Sequence, residues 1–308
     1  MTTLLQEKKN YSIDDHVSLF TENENMDNIE IENRASCVVI TPPAPWEMPD
    51  FRELWDYRGL FYFLVRRDIL LRFQQTQIGF LWVILQPLIL MLIFYVLFGI
   101  FAKIPTDNIP YSLFFLSGFV VWQFFSQIVN NSSMSLVGNI GVIIKSYFPR
   151  LVLPLSTVPN ALVDFIICFL VFLTFLIFNG NFPITARYLF LPFLLIITMV
   201  FSSGVGMLFG ASMVVFRDMK NLLNFIMMIW MYLTPIFYPI TIVPEKYRYL
   251  FYLNPLTGMV QAFRWVLLGQ GELPKSSYLL SSLIVAAIFW LIGSIAFRRM
   301  ENKIADVM

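Results

Sequence analysis

Tyr188-Leu-Phe-Leu-Pro-Phe-Leu-Leu-Ile-Ile-Thr-Met-Val-Phe-Ser-Ser-Gly-Val-Gly-Met-Leu-Phe-Gly-Ala-Ser-Met-Val-Val-Phe216 runs for 29 residues without a charged side chain. Wound as a helix at ~1.5 Å per residue, such a run exceeds the ~30 Å hydrocarbon layer of a bilayer. Five more apolar runs are of about spanning length: Ile78–Ala102, Tyr111–Val129, Leu151–Phe178 (with Asp164 its one charge), Leu222–Val243 and Tyr278–Phe297. Working outward, the composition agrees. Of 308 residues 58% are hydrophobic and only 13% charged, and the mean hydropathy is +0.70. A soluble chain would lack the charge to disperse this much apolar surface. Soluble enzymes, disordered chains and coiled coils are therefore excluded. A net charge of +1 argues against nucleic acid as a partner. The expected fold class is an all-α polytopic membrane protein with six transmembrane helices, an N-terminal amphipathic interface helix and outer re-entrant helices.

Charge distribution sets the expected organisation. Residues 1–58 hold 12 of the 20 acids and 5 of the 21 bases, and they contain no apolar run of signal-peptide length. Residues 1–48 read as an acidic, disordered cytosolic tail closed by the helix-breaking Thr41-Pro-Pro-Ala-Pro45. His16 stands there without the partners that metal or acid–base chemistry needs. Cys37 and Cys168 form no disulfide framework. Orientation follows the lysines and arginines: 15 fall in the tail and alternate connections, against 6 in the others. Both termini are thus expected in the cytosol. Residues 49–76 read as the interface helix. Asp50 and Glu53 suggest a capping box, Leu60, Phe61, Leu64 and Leu71 make an apolar stripe, and Asp68 can pair with Arg72. A plain cytosolic stub is the competing reading. The transmembrane domain is expected over 77–308.

Between Pro244 and Pro274, Asn254-Pro255 divides two short helices, Glu245–Leu253 and about Leu256–Leu268, the second ending at Gly269. They are too short and charged to span, yet too aromatic for a solvated loop. They either dip into the outer leaflet or anchor a loop at its surface. Residues 133–146, between the second and third spans, suit one short amphipathic helix.

No Walker A pattern, GxSxG, HExxH or CxxC occurs, so no catalytic residue, metal ligand or cofactor site is assigned. Asp164 is the only acid inside the spans, with no base expected beside it; a coupled carrier normally buries several ionisable groups. Ser202, Gly206 and Gly210 form a small-residue ladder that permits close helix approach. Prolines 87, 235 and 239 interrupt the first and fifth spans amid aromatic residues, which either pack or meet a sugar face.

Four ordered stretches carry a resemblance. The first is Arg67-Asp-Ile-Leu-Leu-Arg-Phe-Gln-Gln-Thr-Gln-Ile-Gly79 with Phe80-Leu-Trp82 and Gln86-Pro87. The second is Lys145-Ser-Tyr-Phe-Pro-Arg150 with Leu153-Pro154, and the third Phe216-Arg-Asp218. The fourth is Leu233-Thr-Pro-Ile-Phe-Tyr238 with Val243-Pro-Glu245 and Leu253-Asn-Pro255. From about Phe51 to Phe297 the chain resembles ABC-2 type permeases that export polysaccharides of the O-antigen, capsule and teichoic-acid group. The resemblance implies a homodimer in the bacterial inner membrane, working with two copies of a separate ABC ATPase that binds ATP and Mg. It implies an undecaprenyl-diphosphate-linked glycan substrate among membrane lipids, and a channel to which the first and fifth spans contribute. Trp82, Tyr95, Phe98, Trp230, Tyr232 and Tyr238 become glycan-path candidates. Arg66, Arg67, Arg72, Lys145 and Arg150 become candidates for the lipid diphosphate. Ile140, Val142, Ile143, Ile144 and Lys145 become the coupling contact with the ATPase. A small-molecule ABC-2 exporter, a secondary carrier that needs Asp164, and a membrane polymerase are the rival classes.

Overall fold

The computed structural model describes residues 51–74, 79–106, 109–143, 148–180, 186–216, 218–269 and 276–307. The expected tail at 1–48, the Asp50 cap and the coupling candidates Ile144 and Lys145 lie outside them. The described chain is helical, with no strand among the described residues. In order it forms α1 (Phe51–Asp56), α2 (Arg58–Gln74), α3 (Gly79–Phe94), α4 (Tyr111–Gly138), α5 (Ile140–Ile143) and α6 (Val152–Phe178). There follow α7 (Leu191–Val215), α8 (Met219–Leu233), α9 (Glu245–Tyr252), α10 (Pro255–Leu268) and α11 (Ser276–Val307). Five segments are long and apolar enough to cross a membrane: Leu81–Phe101, Tyr111–Gly138, Val152–Phe178, Ala186–Val215 and Leu279–Met300.

The fifth expected run departs from a continuous helix. Only Met219–Leu233 is helical, 15 residues, roughly 22 Å of rise. Pro235 supplies no N–H and disfavours helical geometry at Thr234, which is extended at ψ 132°. The first run is also irregular. Beyond Phe94 it winds as a π-helix, Tyr95–Phe101, and ends at Lys103, whose φ is +46°.

α4 is the axis of the bundle. Some 78% of its most apolar stretch is buried, against 11% for Leu81–Phe101. It packs on α6, α7 and α10, while α7 also carries α11. Phe115, Phe124, Phe125, Phe172 and Phe201 are fully enclosed between these helices, with Phe125 and Phe201 stacked at 5.4 Å. Within a bilayer, close packing and internal hydrogen bonds rather than water exclusion hold helices together. The small residues show how. A Cβ on Gly206 would stand 2.6 Å from the Ser132 Cβ, and one on Gly210 would stand 3.2 Å from the Ser133 carbonyl oxygen, so the expected ladder joins α7 to α4. Gly204, on another face of α7, meets α11 backbone to backbone. Its Cβ would fall 2.6 Å from Phe289 C, and one on Gly293 would overlap the Gly204 carbonyl.

The interface segment is two helices, α1 and α2, parted by a turn at Tyr57. Leu64 is buried, with Leu60 and Phe61 packed around Phe148, Leu151 and Val152. Leu71 departs from the expected stripe, being 44% exposed. The expected helix at 133–146 is corrected too. Residues 133–138 are the last turns of α4, with Ser133, Ser135 and Leu136 buried. Only Ile140–Ile143 forms a separate turn. Ser132, Ser133 and Ser135 pack inward instead of starting a new element, which extends the span by about two turns.

Candidate functional site

The break after α8 is held by side chains from three other segments. Arg264 of α10 donates from Nη1 to the Pro235 carbonyl at 2.7 Å and from Nη2 to the Ile236 carbonyl at 2.7 Å. Its guanidinium carbon lies 3.8 Å from the Phe114 ring centroid. Gly118 leaves the room, since a Cβ there would stand 2.8 Å from Nη2. Tyr111, at the start of α4, donates its hydroxyl proton to the Phe237 carbonyl at 3.0 Å. Asn254, before α10, accepts on Oδ1 from Leu256 N and Trp230 Nε1 and donates from Nδ2 to Thr234 Oγ1. Backbone carbonyls that the prolines leave without helical partners thus acquire donors, as non-helical chain at membrane depth requires. The motifs Leu233–Tyr238 and Leu253–Pro255 are two halves of one joint.

The aromatic candidates divide around this joint. Trp82, Tyr95 and Tyr232 are exposed at 56%, 42% and 52%. Phe98 stacks on Phe94 at 5.8 Å. Tyr238 donates to the Tyr232 carbonyl at 2.9 Å. Trp230 meets Phe125 and Phe201 edge-on, and its N–H is spent on Asn254. α3 further exposes Leu81 and Leu92, and α8 Phe225 and Ile229. A cavity of about 430 Å³ lies beside α8, under Trp230, Leu250 and Phe251.

The basic candidates are differently arranged than the spacing suggested. Arg67, not Arg72, pairs with Asp68, at 2.7 Å, and also donates to Asn139 Oδ1 at 2.6 Å. Arg72 reaches 92 positions along the chain and donates to Asp164. The acid of the third span therefore does have a base beside it, supplied by the end of α2 where the spans alone offered none. Asp164 is 1% exposed while Arg72 is 35% exposed, so one end of the pair lies at the protein surface. Arg66 is exposed and Arg150 half-buried. Of the coupling residues, Ile140, Val142 and Ile143 are half-buried on α5; Val142 and Ile143 pack against the cluster around Leu64 and Phe148.

The sequence reading missed Tyr111, Arg264, Asn254, Gly204 and Gly293. Arg264 carried a signal, being a charge inside an otherwise apolar helical stretch. It also missed three amides, Gln127, Asn131 and Asn160, which line a cavity between α2, α4 and α6. The four-residue spacing of the first two, at the end of the second apolar run, was legible.

No group of three metal-ligating side chains occurs among the described residues. Long apolar helices around a clamped, proline-broken segment define a multi-pass helical membrane domain. The sequence pattern of the ABC-2 type transporter family matches residues 59–268, and the chain belongs to that family. It is 28% identical over 249 residues to the O-antigen export system permease protein RfbA of Klebsiella pneumoniae, covering 81% of this chain and 95% of that one. To RfbA of Myxococcus xanthus it is 29% identical over 254 residues, 82% and 96%. To the polysialic acid transport protein KpsM of Escherichia coli it is 26% identical over 205 residues, 65% and 78%.

Proposed function

We propose that this chain is the permease subunit of an ATP-driven exporter that moves a lipid-linked polysaccharide of O-antigen type across the bacterial inner membrane. Two copies form the path, and two copies of an ABC ATPase bind ATP and Mg and drive it. Both termini face the cytosol, and α5 with the adjoining Ile144 and Lys145 seats the ATPase. The substrate is a glycan on undecaprenyl diphosphate, its headgroup met by Arg66, Arg150 and Lys145, while Arg67 and Arg72 are paired with Asp68 and Asp164. The observation that carries this reading is the exposure of three aromatic residues, Trp82 on α3, Tyr95 just beyond it and Tyr232 on α8. Ring faces and polar tips suit a sugar, where a purely lipid-facing surface favours aliphatic side chains. The relatives named for O-antigen and polysialic acid transport support a polysaccharide cargo; capsule or teichoic acid is the alternative within it.

The test is reconstitution of the chain with its ATPase in liposomes loaded with lipid-linked glycan. Transport should need both subunits and ATP. Transport by the lone chain, or ATP-driven movement of a small hydrophobic compound in place of the glycan, overturns the reading.

A further inference from the structure

A half-open cavity of about 650 Å³ lies between α2, α4 and α6, within the range of small-molecule sites. Gln127 and Asn131 are one helical turn apart on α4 and share a face; Asn160 stands on α6, and all three line the space. All three are half-buried, and none has a side-chain hydrogen bond to a described residue; the Asn160 Oδ1 is fully enclosed without a partner, so only the rest of that amide is open to the space. An amide brings both donors and an acceptor. The other polar groups of the wall are engaged. Ser135 donates to Ser132 O, Thr157 to Pro154 O, and Asn139 bonds both Ser135 O and Arg67.

The cations at the rim are also committed. Arg67 gives Nε and Nη2 to the Asp68 carboxylate, and Arg72 gives Nη1 to Asp164. Two guanidinium groups face two carboxylates, so the wall is close to charge-balanced. A phosphate, which carries charge, would have to compete with those carboxylates for the guanidinium groups. A neutral ligand bearing several hydroxyls matches three uncommitted amides, since each hydroxyl donates and accepts. Met134 and Val163 give the apolar surface that the C–H face of such a ring needs.

We propose that this cavity recognises an uncharged sugar ring through Gln127, Asn131 and Asn160. The proposal rests on the reading of the cargo as a glycan and adds to it a site, apart from Trp82, Tyr95 and Tyr232, that senses sugar identity.

The test uses the full chain in nanodiscs of phosphatidylethanolamine and phosphatidylglycerol. Radiolabelled methyl and octyl glycosides of common hexoses and N-acetylhexosamines serve as ligands, with inorganic pyrophosphate and octyl phosphate as competitors. Expected is saturable binding of at least one sugar, about tenfold tighter than its epimers, shared by its methyl and octyl glycosides and untouched by either competitor. Asn131→Leu and Asn160→Leu should each weaken it about tenfold or more, one hydrogen-bonding group being worth that much. Gln127→Met, nearly the same in shape, should do likewise with a parental melting temperature, which separates lost recognition from lost folding. Displacement by pyrophosphate, octyl glycosides binding regardless of their sugar, or the absence of saturable binding would each overturn the proposal. Surface glycan in cells lacking the chain is scored separately. Export that depends on the chain with no glycoside binding leaves the exporter reading standing and removes only the site.

Discussion

Replacing Arg264 with leucine should release the broken segment after α8. The structure sets the size of the effect. Arg264 makes two charge-assisted hydrogen bonds of 2.7 Å, to the Pro235 and Ile236 carbonyls, and lies over the Phe114 ring. Bonds from a charged donor are worth roughly 1.5–3 kcal/mol each. Leucine leaves both carbonyls without a partner in a dry site, where they cannot recover water. The guanidinium's own burial cost, which leucine removes, offsets part of this. A net loss of about 3–5 kcal/mol follows. At roughly 2–4 °C per kcal/mol for a chain of this size, the melting temperature should fall by about 10 °C. The assay is thermal unfolding of the detergent-solubilised chain, followed by size-exclusion chromatography. Arg264→Lys should recover only part of the loss, since one ammonium cannot reproduce the planar fork. An Arg264→Leu protein as stable as the parent, or a lysine variant fully equal to it, would refute the clamp.

The remaining expectations are shorter. Gly293→Ala should destabilise the bundle by about 3 kcal/mol through overpacking, read as lost monodispersity on heating, because its Cβ meets the rigid Gly204 carbonyl; a harmless alanine would mean α7 and α11 stand further apart. Arg72→Met should cost more stability than Asp164→Leu, since it strands a carboxylate 1% exposed whereas the arginine alone lies at the protein surface; the reverse ranking in melting temperatures counts against the pair. Trp82→Leu, Tyr95→Leu and Tyr232→Leu combined should keep stability and lower glycan export several-fold, each ring face being worth roughly 0.5–1.5 kcal/mol; parental export returns these residues to a lipid-facing role. Ile143→Asp should reduce co-purification of the ATPase with normal membrane insertion, and unchanged recovery places the contact elsewhere.

Five of the six expected spans were legible because hydropathy and length alone define them. The bounds of α9 and α10 were legible because Pro244, Asn254-Pro255 and Gly269, whose φ is +65°, punctuate the chain locally. What escaped is non-local. Arg72 finds Asp164 92 positions away, and the local option, Asp68 four residues back, misled the reading. Arg264 bonds backbone carbonyls 28 and 29 positions earlier, and a carbonyl carries no residue-type signature. The short α8 was half-visible. Pro235 and Pro239 promised an interruption, but not that the helix would stop at Leu233. Continuation of α4 to Gly138 was hidden because Ser132, Ser133 and Ser135 look like a solvated loop, while in the fold each hydroxyl has room only to face inward.

The unbroken course of α4 has a structural consequence. Its 28 residues make a rod of roughly 42 Å without an internal proline, encased by α6, α7 and α10. One end holds the Phe237 carbonyl through Tyr111 and supports Arg264 through Phe114. The other abuts Ile140–Ile143 across the single residue Asn139. A single continuous helix thus joins that turn to the broken segment, the only bend between them lying at Asn139.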